Sequence, residues 1–367
     1  MTVGRAGRIA VVFGTRPEIV KLAGIARILG DDGYTIHSGQ HFTPEMGQLF
    51  VDDLELPAPE IRLEIGGTAR GQQIGAATSL LDEHFEHCRP AAVVVQGDTN
   101  TVLAGALAAN AREIPLVHIE AGLRSHDRAM PEEHNRVVAD HLSDLCCTPT
   151  ETSRENLAAE GIEGNRVVVT GNTVVDAVDE LLPDRDRRLA VLAEYGIEPN
   201  QFAVATFHRP ENVDTASTLA LILDELASLP VPVVLPLHPR TAARASAAGL
   251  HAALAQLVIT EPLGYRPFLS LVAESALLVS DSGGLAEEAS VVKRPIVIVR
   301  TSTERPEVLG TFAELVPPGP GIGALARRWI DDLTSVHKRL AALPTPYGDG
   351  RASERCFDAV RRLVEPD

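Results

Sequence analysis

The chain has 367 residues, 45% hydrophobic and 23% charged, with a formal net charge of −17 at pH 7. That length exceeds one ordinary core and favours two domains of comparable size, and the composition argues against extensive disorder. The acidic excess opposes nonspecific binding to nucleic acid or an anionic membrane, and neither a membrane-spanning run nor a signal-peptide pattern is visible, so a cytoplasmic protein is expected. A small anionic ligand in a local basic pocket is compatible with that charge. The cysteines, Cys88, Cys146, Cys147 and Cys356, lack C-x-x-C spacing, so neither a disulfide framework nor a metal site is expected. Cys146 and Cys147 in DLCCTPT read as packing within a buried strand.

The first element is RIAVVFGTRPEIVKLAGI, a strand that turns at Gly14 into a helix after Pro17. This is the usual entry to a phosphate site, yet both common glycine fingerprints are missing. The turn carries Thr15, Arg16 and Glu18 instead, with Lys21 one turn into the helix. Further apolar runs follow as AAVVVQG, PLVHIE, DLCCT and RVVVTG, then as FAVATF, PVVLPL, QLVIT, ALLVS and RPIVIV. Continuous Val/Ile/Leu runs separated by helical patterns predict parallel sheets buried on both faces, two of them in series. The fold class is therefore α/β, with two doubly wound Rossmann-type domains. Residues 1–175 are assigned to the first and 176–350 to the second, with a terminal helix at 351–367 packing back on the first; the boundary lies within 172–184.

Ligands of such sheets bind beyond the carboxyl ends of the strands. Those ends read GTRPE, SGQH, QGDTNT, HIEAGLRS and TGNTVVD in the first half, with MPEEHNR following HIEAGLRS, and TFHRPEN, LHPRT, SDSGGLAEE and RTSTERPE in the second. Each has an ordinary structural explanation taken alone: Asp98 as the cap of a helix starting near Thr99, Glu120 paired with Arg124, Pro131-Glu132-Glu133 as an acidic first turn. Together they gather three carboxylates, a histidine and several arginines at one edge, an arrangement that costs stability and is retained at active sites. In SDSGGLAEE, Ser282 and the amides of Gly283 and Gly284 suit phosphate oxygens, and Glu288 suits ribose hydroxyls.

In this order GTRPE with Lys21, GDTNT, HIEAGLRS, PEEHNR, TGNTVVD, DSGG…EE and TERPE resemble the non-hydrolysing UDP-N-acetylglucosamine 2-epimerase family, over Gly14 to Glu307. The resemblance implies a GT-B-like fold with the active site in the cleft between two Rossmann-type domains, a homodimer, no cofactor, and interconversion of UDP-GlcNAc and UDP-ManNAc. It assigns Arg16 and Lys21 to the substrate and diphosphate, Asp98, Glu120 and Glu132 to the catalytic carboxylates, and His208 to the active-site histidine. Arg136 belongs to the same cleft. Ser282, Gly283, Gly284 and Glu288 would hold the UDP phosphates and ribose, with His238 and Arg305 near the nucleotide.

The implied mechanism removes the C2 proton and UDP to leave a 2-acetamidoglucal, then returns a proton to C2 from the other face and re-adds UDP. Two acid/base groups are needed, and a base in a desolvated, negatively charged pocket would have a raised pKa. Fixed cations in GTRPE would stabilise the departing diphosphate. Phe42 and Pro210 stand where the substrate-regulated branch carries basic residues, so the resemblance does not extend that allosteric site to this chain. The pattern is nearer a branch that includes epimerases of modified UDP-sugars such as diacetamido uronic acids. A GT-B glycosyltransferase is the alternative, followed by a non-catalytic UDP-sugar sensor.

Overall fold

The structure, a computed structural model, describes residues 7–40, 54, 56 and 58–365; Phe42 lies outside them. The chain divides into two compact units, one running to Glu180 and resuming at Tyr347, the other spanning Leu181–Pro346.

In the first unit, strands β1 (Ile9–Phe13), β2 (Gly33–His37), β3 (Ile61–Arg62), β4 (Ala92–Gln96), β5 (Leu116–Ile119), β6 (Leu145–Thr148) and β7 (Val167–Val169) form one parallel sheet in the order β3-β2-β1-β4-β5-β6-β7. Its longer helices are α1 (Arg16–Leu29), α2 (Arg70–Cys88), α3 (Asn100–Ala111), α4 (Pro131–Leu142), α5 (Glu151–Ala159) and α6 (Thr173–Leu181), whose last turn crosses the division. β1 and β4 are buried along their whole length, as expected of central strands covered on both faces. Helix α2 buries Ala77, Leu81 and Phe85, the four-residue spacing of one helical stripe.

The second unit holds β8 (Ala203–Thr206), β9 (Val233–Pro236), β10 (Val258–Thr260), β11 (Leu277–Ser280), β12 (Ile296–Val299) and β13 (Ala313–Val316), again parallel, in the order β10-β9-β8-β11-β12-β13. Its helices longer than one turn are α7 (Arg185–Glu194), α8 (Ala216–Ala227), α9 (Pro239–Ala247), α10 (Tyr265–Glu274), α11 (Gly283–Val291), α12 (Gly321–Asp331) and α13 (Leu333–Ala341). The terminal helix α14 (Ala352–Val364) belongs to the first unit, where it packs on α1 and β6. Asp176 accepts the amides of Ala352 (3.1 Å) and Ser353 (2.7 Å), placing a carboxylate at the positive end of α14.

Every apolar run singled out above is a strand. β2 was foreseen only through its end, SGQH, and β3 and β13 not at all: β2 reads GYTIH, β3 has two residues, and β13 reads AELV at a sheet edge, so none shows a continuous apolar signal. In both sheets the strand order reverses once, between β1 and β4 and between β8 and β11. These are the topological switch points, where the loops diverge to opposite faces and leave a crevice.

No described helix is long and apolar enough to cross a membrane. Cys88, Cys146, Cys147 and Cys356 are buried free thiols.

Candidate functional site

At the first switch point β1 ends in Gly14-Thr15 and β4 ends in Gly97-Asp98. A Cβ on Gly14 would collide with Ser38 Oγ and Thr101 Oγ1, so only glycine lets β1 turn here against the loops beside it. Thr15 occupies the N-cap of α1 without a capping bond; its hydroxyl instead donates to Glu18 Oε2 at 2.7 Å. Glu18 also accepts the Gly14 amide (3.1 Å) and the Thr99 hydroxyl (2.9 Å), and is 1% exposed. Burial pushes its carboxyl up to about 7, against the opposing effect of those hydrogen bonds. This raised carboxyl belongs to Glu18, which the motif reading had left without a role.

Lys21, one turn further along α1, reaches Glu120 just beyond β5. Its Nζ lies 2.7 Å from Glu120 Oε2, with the side chains 6% and 3% exposed. Gln96 Nε2 donates to the same carboxylate oxygen. Glu120 therefore pairs across 99 residues of sequence, and its ordinary local partner Arg124 is engaged elsewhere, by Asp140 and Glu160 at 2.7 Å each. Asp98 does not cap α3, since Thr99 does, accepting the Val102 amide. Asp98 forms an ion pair with Arg136 on α4 instead. Lys21 with Glu120, and Asp98 with Arg136, thus gather at the carboxyl ends of β1, β4 and β5.

The acidic start of α4 splits its two glutamates. Glu133 is buried and accepts the amides of Ser125 (3.0 Å) and His126 (2.8 Å) and an ion pair from Arg136 at 2.5 Å. Although burial opposes it, these partners hold the Glu133 carboxyl below its ordinary value. Glu132, the one the motif singled out, is half-buried, and among the described residues its carboxylate has no hydrogen bond or ion pair. Arg16, the first residue of α1, is half-buried.

The second switch point carries the histidines. The buried Asp281, which follows β11, accepts the amides of His208 (3.2 Å) and Arg209 (3.0 Å), the Asn212 amide nitrogen (3.1 Å) and His208 Nδ1 at 3.2 Å. Burial raises this carboxyl, and the His208, Arg209 and Asn212 bonds outweigh it to hold Asp281 ionised below the usual range. The ring of His208 is thereby oriented through Nδ1. His238 stands 5.7 Å away between ring centroids, and its Nδ1 accepts the Arg240 amide at the N-cap of α9. Asp281 and Asn212 escaped the motif reading, although Asp281 sits directly at a strand end.

Ser282 is the N-cap of α11 but makes no side-chain cap bond, which leaves the orphan amides of the first turn to another acceptor. A Cβ on Gly283 would meet Arg305 Nη1 and Glu304 Oε1, whereas one on Gly284 would meet nothing within 4 Å. Arg305 packs beneath Gly283, fixed by Glu287 at 2.6 Å and by Glu304. Glu288 is half-buried and accepts the Tyr265 hydroxyl at 2.8 Å. Among the described residues no His/Cys/Asp/Glu cluster is placed to hold a metal ion.

A family model described as UDP-N-acetylglucosamine 2-epimerase matches residues 31–361. The UDP-N-acetylglucosamine 2-epimerase of Methanocaldococcus jannaschii is 37% identical over 95% of this chain and 97% of its own length. The crystal structure of that enzyme in complex with UDP-GlcNAc and UDP superposes with a TM-score of 0.84, covering 95% of this chain and 98% of that one. A UDP-2,3-diacetamido-2,3-dideoxy-D-glucuronate 2-epimerase from Pseudomonas aeruginosa is 32% identical over 97% of this chain and all of its own length. With a family model across most of its length and relatives of this identity matched nearly end to end, the chain belongs to the UDP-N-acetylglucosamine 2-epimerase family.

Proposed function

We propose that the protein inverts C2 of a UDP-2-acetamido sugar, converting UDP-GlcNAc to UDP-ManNAc and back without a redox cofactor. A base removes the C2 proton, the C1–O bond breaks, and the electron pair forms the C1=C2 bond of a 2-acetamidoglucal as UDP departs. A second acid then protonates C2 from the opposite face, and a UDP oxygen re-adds to C1. The observation that carries this reading is the buried Lys21–Glu120 pair with Gln96 on the same carboxylate, at the switch point that also holds Asp98 and Arg136. Carboxylates on neighbouring strand ends can address a sugar ring from different directions, and Lys21 and Arg16 supply fixed positive charge for a leaving diphosphate.

In this account Asp98, Glu120 and Glu132 share the acid and base roles, and Arg136 orients Asp98. His208, oriented by Asp281, assists the diphosphate. The uncapped first turn of α11, with Ser282, Gly283 and Gly284, binds phosphate oxygens, Glu288 binds the ribose, and His238 flanks the nucleotide. Arg305 acts from beneath, by shaping the turn at Gly283. A homodimer and a cytoplasmic setting complete the proposal; light scattering that returned one chain mass at working concentration would remove the dimer.

The Pseudomonas relative favours a second substrate, a UDP-2,3-diacetamido uronic acid, as does Pro210, the first residue of a one-turn helix at Pro210–Val213 beside His208. The test is chromatography of UDP-sugars approached from both directions. UDP-GlcNAc and UDP-ManNAc converging on one mixture supports the principal reading. Conversion of the diacetamido uronic acid alone selects the second, and transfer of the sugar to an acceptor refutes both in favour of a glycosyltransferase.

A further inference from the structure

Behind the strand ends of the first unit lies a charged cluster that the proposed chemistry does not use. His118 on β5 is wholly buried, with Nδ1 2.7 Å from Asp140 Oδ1 and Nε2 2.7 Å from the Gly97 carbonyl oxygen. A carbonyl only accepts, so Nε2 carries a hydrogen. Asp140 accepts the Gly122 amide (3.2 Å) and pairs with Arg124 (2.7 Å) through its other oxygen, the behaviour of an ionised, acceptor-only carboxylate. Nδ1 must then carry a hydrogen too, and the ring is an imidazolium.

The surroundings balance that charge. From α4 comes Asp140, from the loop after β5 comes Arg124, and Glu160 beyond α5 pairs with Arg124 at 2.7 Å and lies 3.3 Å from His141. From the neighbouring strand β6 comes the Cys146 thiol, pushed up by burial and therefore neutral. Two cations, His118 and Arg124, thus face two anions, Asp140 and the partly exposed Glu160. Burial opposes the imidazolium, and Asp140 with the Gly97 carbonyl more than offsets it, leaving His118 raised above its ordinary value.

The cluster grips the backbone around two of the three candidate carboxylates, Asp98 and Glu120. Gly97, whose carbonyl it holds, immediately precedes Asp98. Gly122, whose amide it holds, follows Glu120 by two residues, and His118 precedes Glu120 by two. Glu120 itself has φ 66°, the left-handed region that a side chain adopts only when its surroundings impose it. We propose that His118, held as an imidazolium by Asp140, is a positioning residue that fixes Asp98 and Glu120 relative to each other through the Gly97 carbonyl and the Gly122 amide.

The proposal rests on the epimerase reading only for its effect on turnover, so the test has an arm independent of activity. In protein labelled with 15N-histidine, the His118 ring signals, assigned by their loss in His118→Gln, are expected to show both nitrogens protonated and unchanged from pH 6 to pH 8. A neutral ring at pH 8 overturns the proposal.

In the second arm, Asp140→Asn removes the charge that keeps the ring protonated. Its kcat is expected to be about tenfold below wild type at pH 6 and pH 8 alike, because burial and the Arg124 charge leave the ring neutral once the Asp140 charge is gone, with KM within about threefold. A kcat within twofold of wild type, or a loss carried by KM, overturns the proposal in favour of a packing role. If Asp140→Asn does not fold, the NMR arm decides alone. Absence of wild-type turnover on every UDP-sugar refutes the epimerase reading while leaving the NMR arm intact.

Discussion

Glu18→Gln removes the ionisable group at the centre of the first switch point while keeping its shape and an amide oxygen for the Gly14 and Thr15 donors. The folded carboxyl titrates at about 7, against 4.5 for the ordinary group. Because the folded value is the higher one, Glu18 favours folding fully below pH 4.5, and that contribution is lost as the pH rises toward 7. The whole shift corresponds to about 3 kcal/mol. Between pH 5 and pH 8 the two titrations differ by about 2.5 kcal/mol, since the unfolded group is already largely ionised at pH 5. The variant carries no such term, so its stability relative to wild type is expected to improve by about 2.5 kcal/mol between those pH values. Urea unfolding followed by circular dichroism measures this; the sole tryptophan, Trp329, lies in the other unit and reports on that one. A difference between the two proteins that changes by less than ~0.5 kcal/mol across the range would refute the argument that burial governs Glu18.

Lys21→Met leaves the Glu120 carboxylate buried without its cation and is expected to cost about 3–5 kcal/mol, most of it recovered in Lys21→Met/Glu120→Gln; a cost below ~1 kcal/mol, the worth of an exposed pair, would contradict the burial of this one. Gly283→Ala forces a methyl against the Arg305 guanidinium, which Glu287 and Glu304 hold in place, and is expected to weaken UDP binding at least tenfold by calorimetry, whereas Gly284→Ala, with open space, leaves the second unit's thermal transition unchanged. Asp281→Asn weakens the hold on His208 and is expected to lower kcat tenfold or more at nearly constant KM; a change confined to KM would assign His208 to ground-state binding instead.

Much of the architecture was legible because central parallel strands are buried on both faces and therefore spell themselves as Val/Ile runs, as in β1, β4 and β12. β13 was illegible for the converse reason: an edge strand with one open side tolerates Glu314, so AELV carries no run. Strand-end motifs were legible as positions but not as partnerships. Local spacing offered Arg124 to Glu120, four residues apart, whereas the fold gives Glu120 to Lys21 from another element and commits Arg124 to Asp140. Asp98 lost its capping role to Thr99, whose hydroxyl is the one aimed at the Val102 amide. Glu18 and His118 depended on burial and on simultaneous hydrogen bonds from several loops, which no linear spacing encodes. Glu132 and Glu133 are adjacent and chemically alike, and only the turn of α4 separates the engaged glutamate from the one that has no hydrogen bond or ion pair among the described residues.

The central claim is that C2 exchanges its proton through protein carboxylates during a reversible loss of UDP. Proton NMR of the reaction run in deuterium oxide, on whichever UDP-2-acetamido sugar the enzyme converts, tests it directly. Solvent deuterium is expected at C2 of the epimerised product, and at C2 of recovered substrate as the reaction approaches equilibrium. Epimerisation that leaves the original hydrogen on C2, or release of free sugar in place of a UDP-sugar, would contradict it.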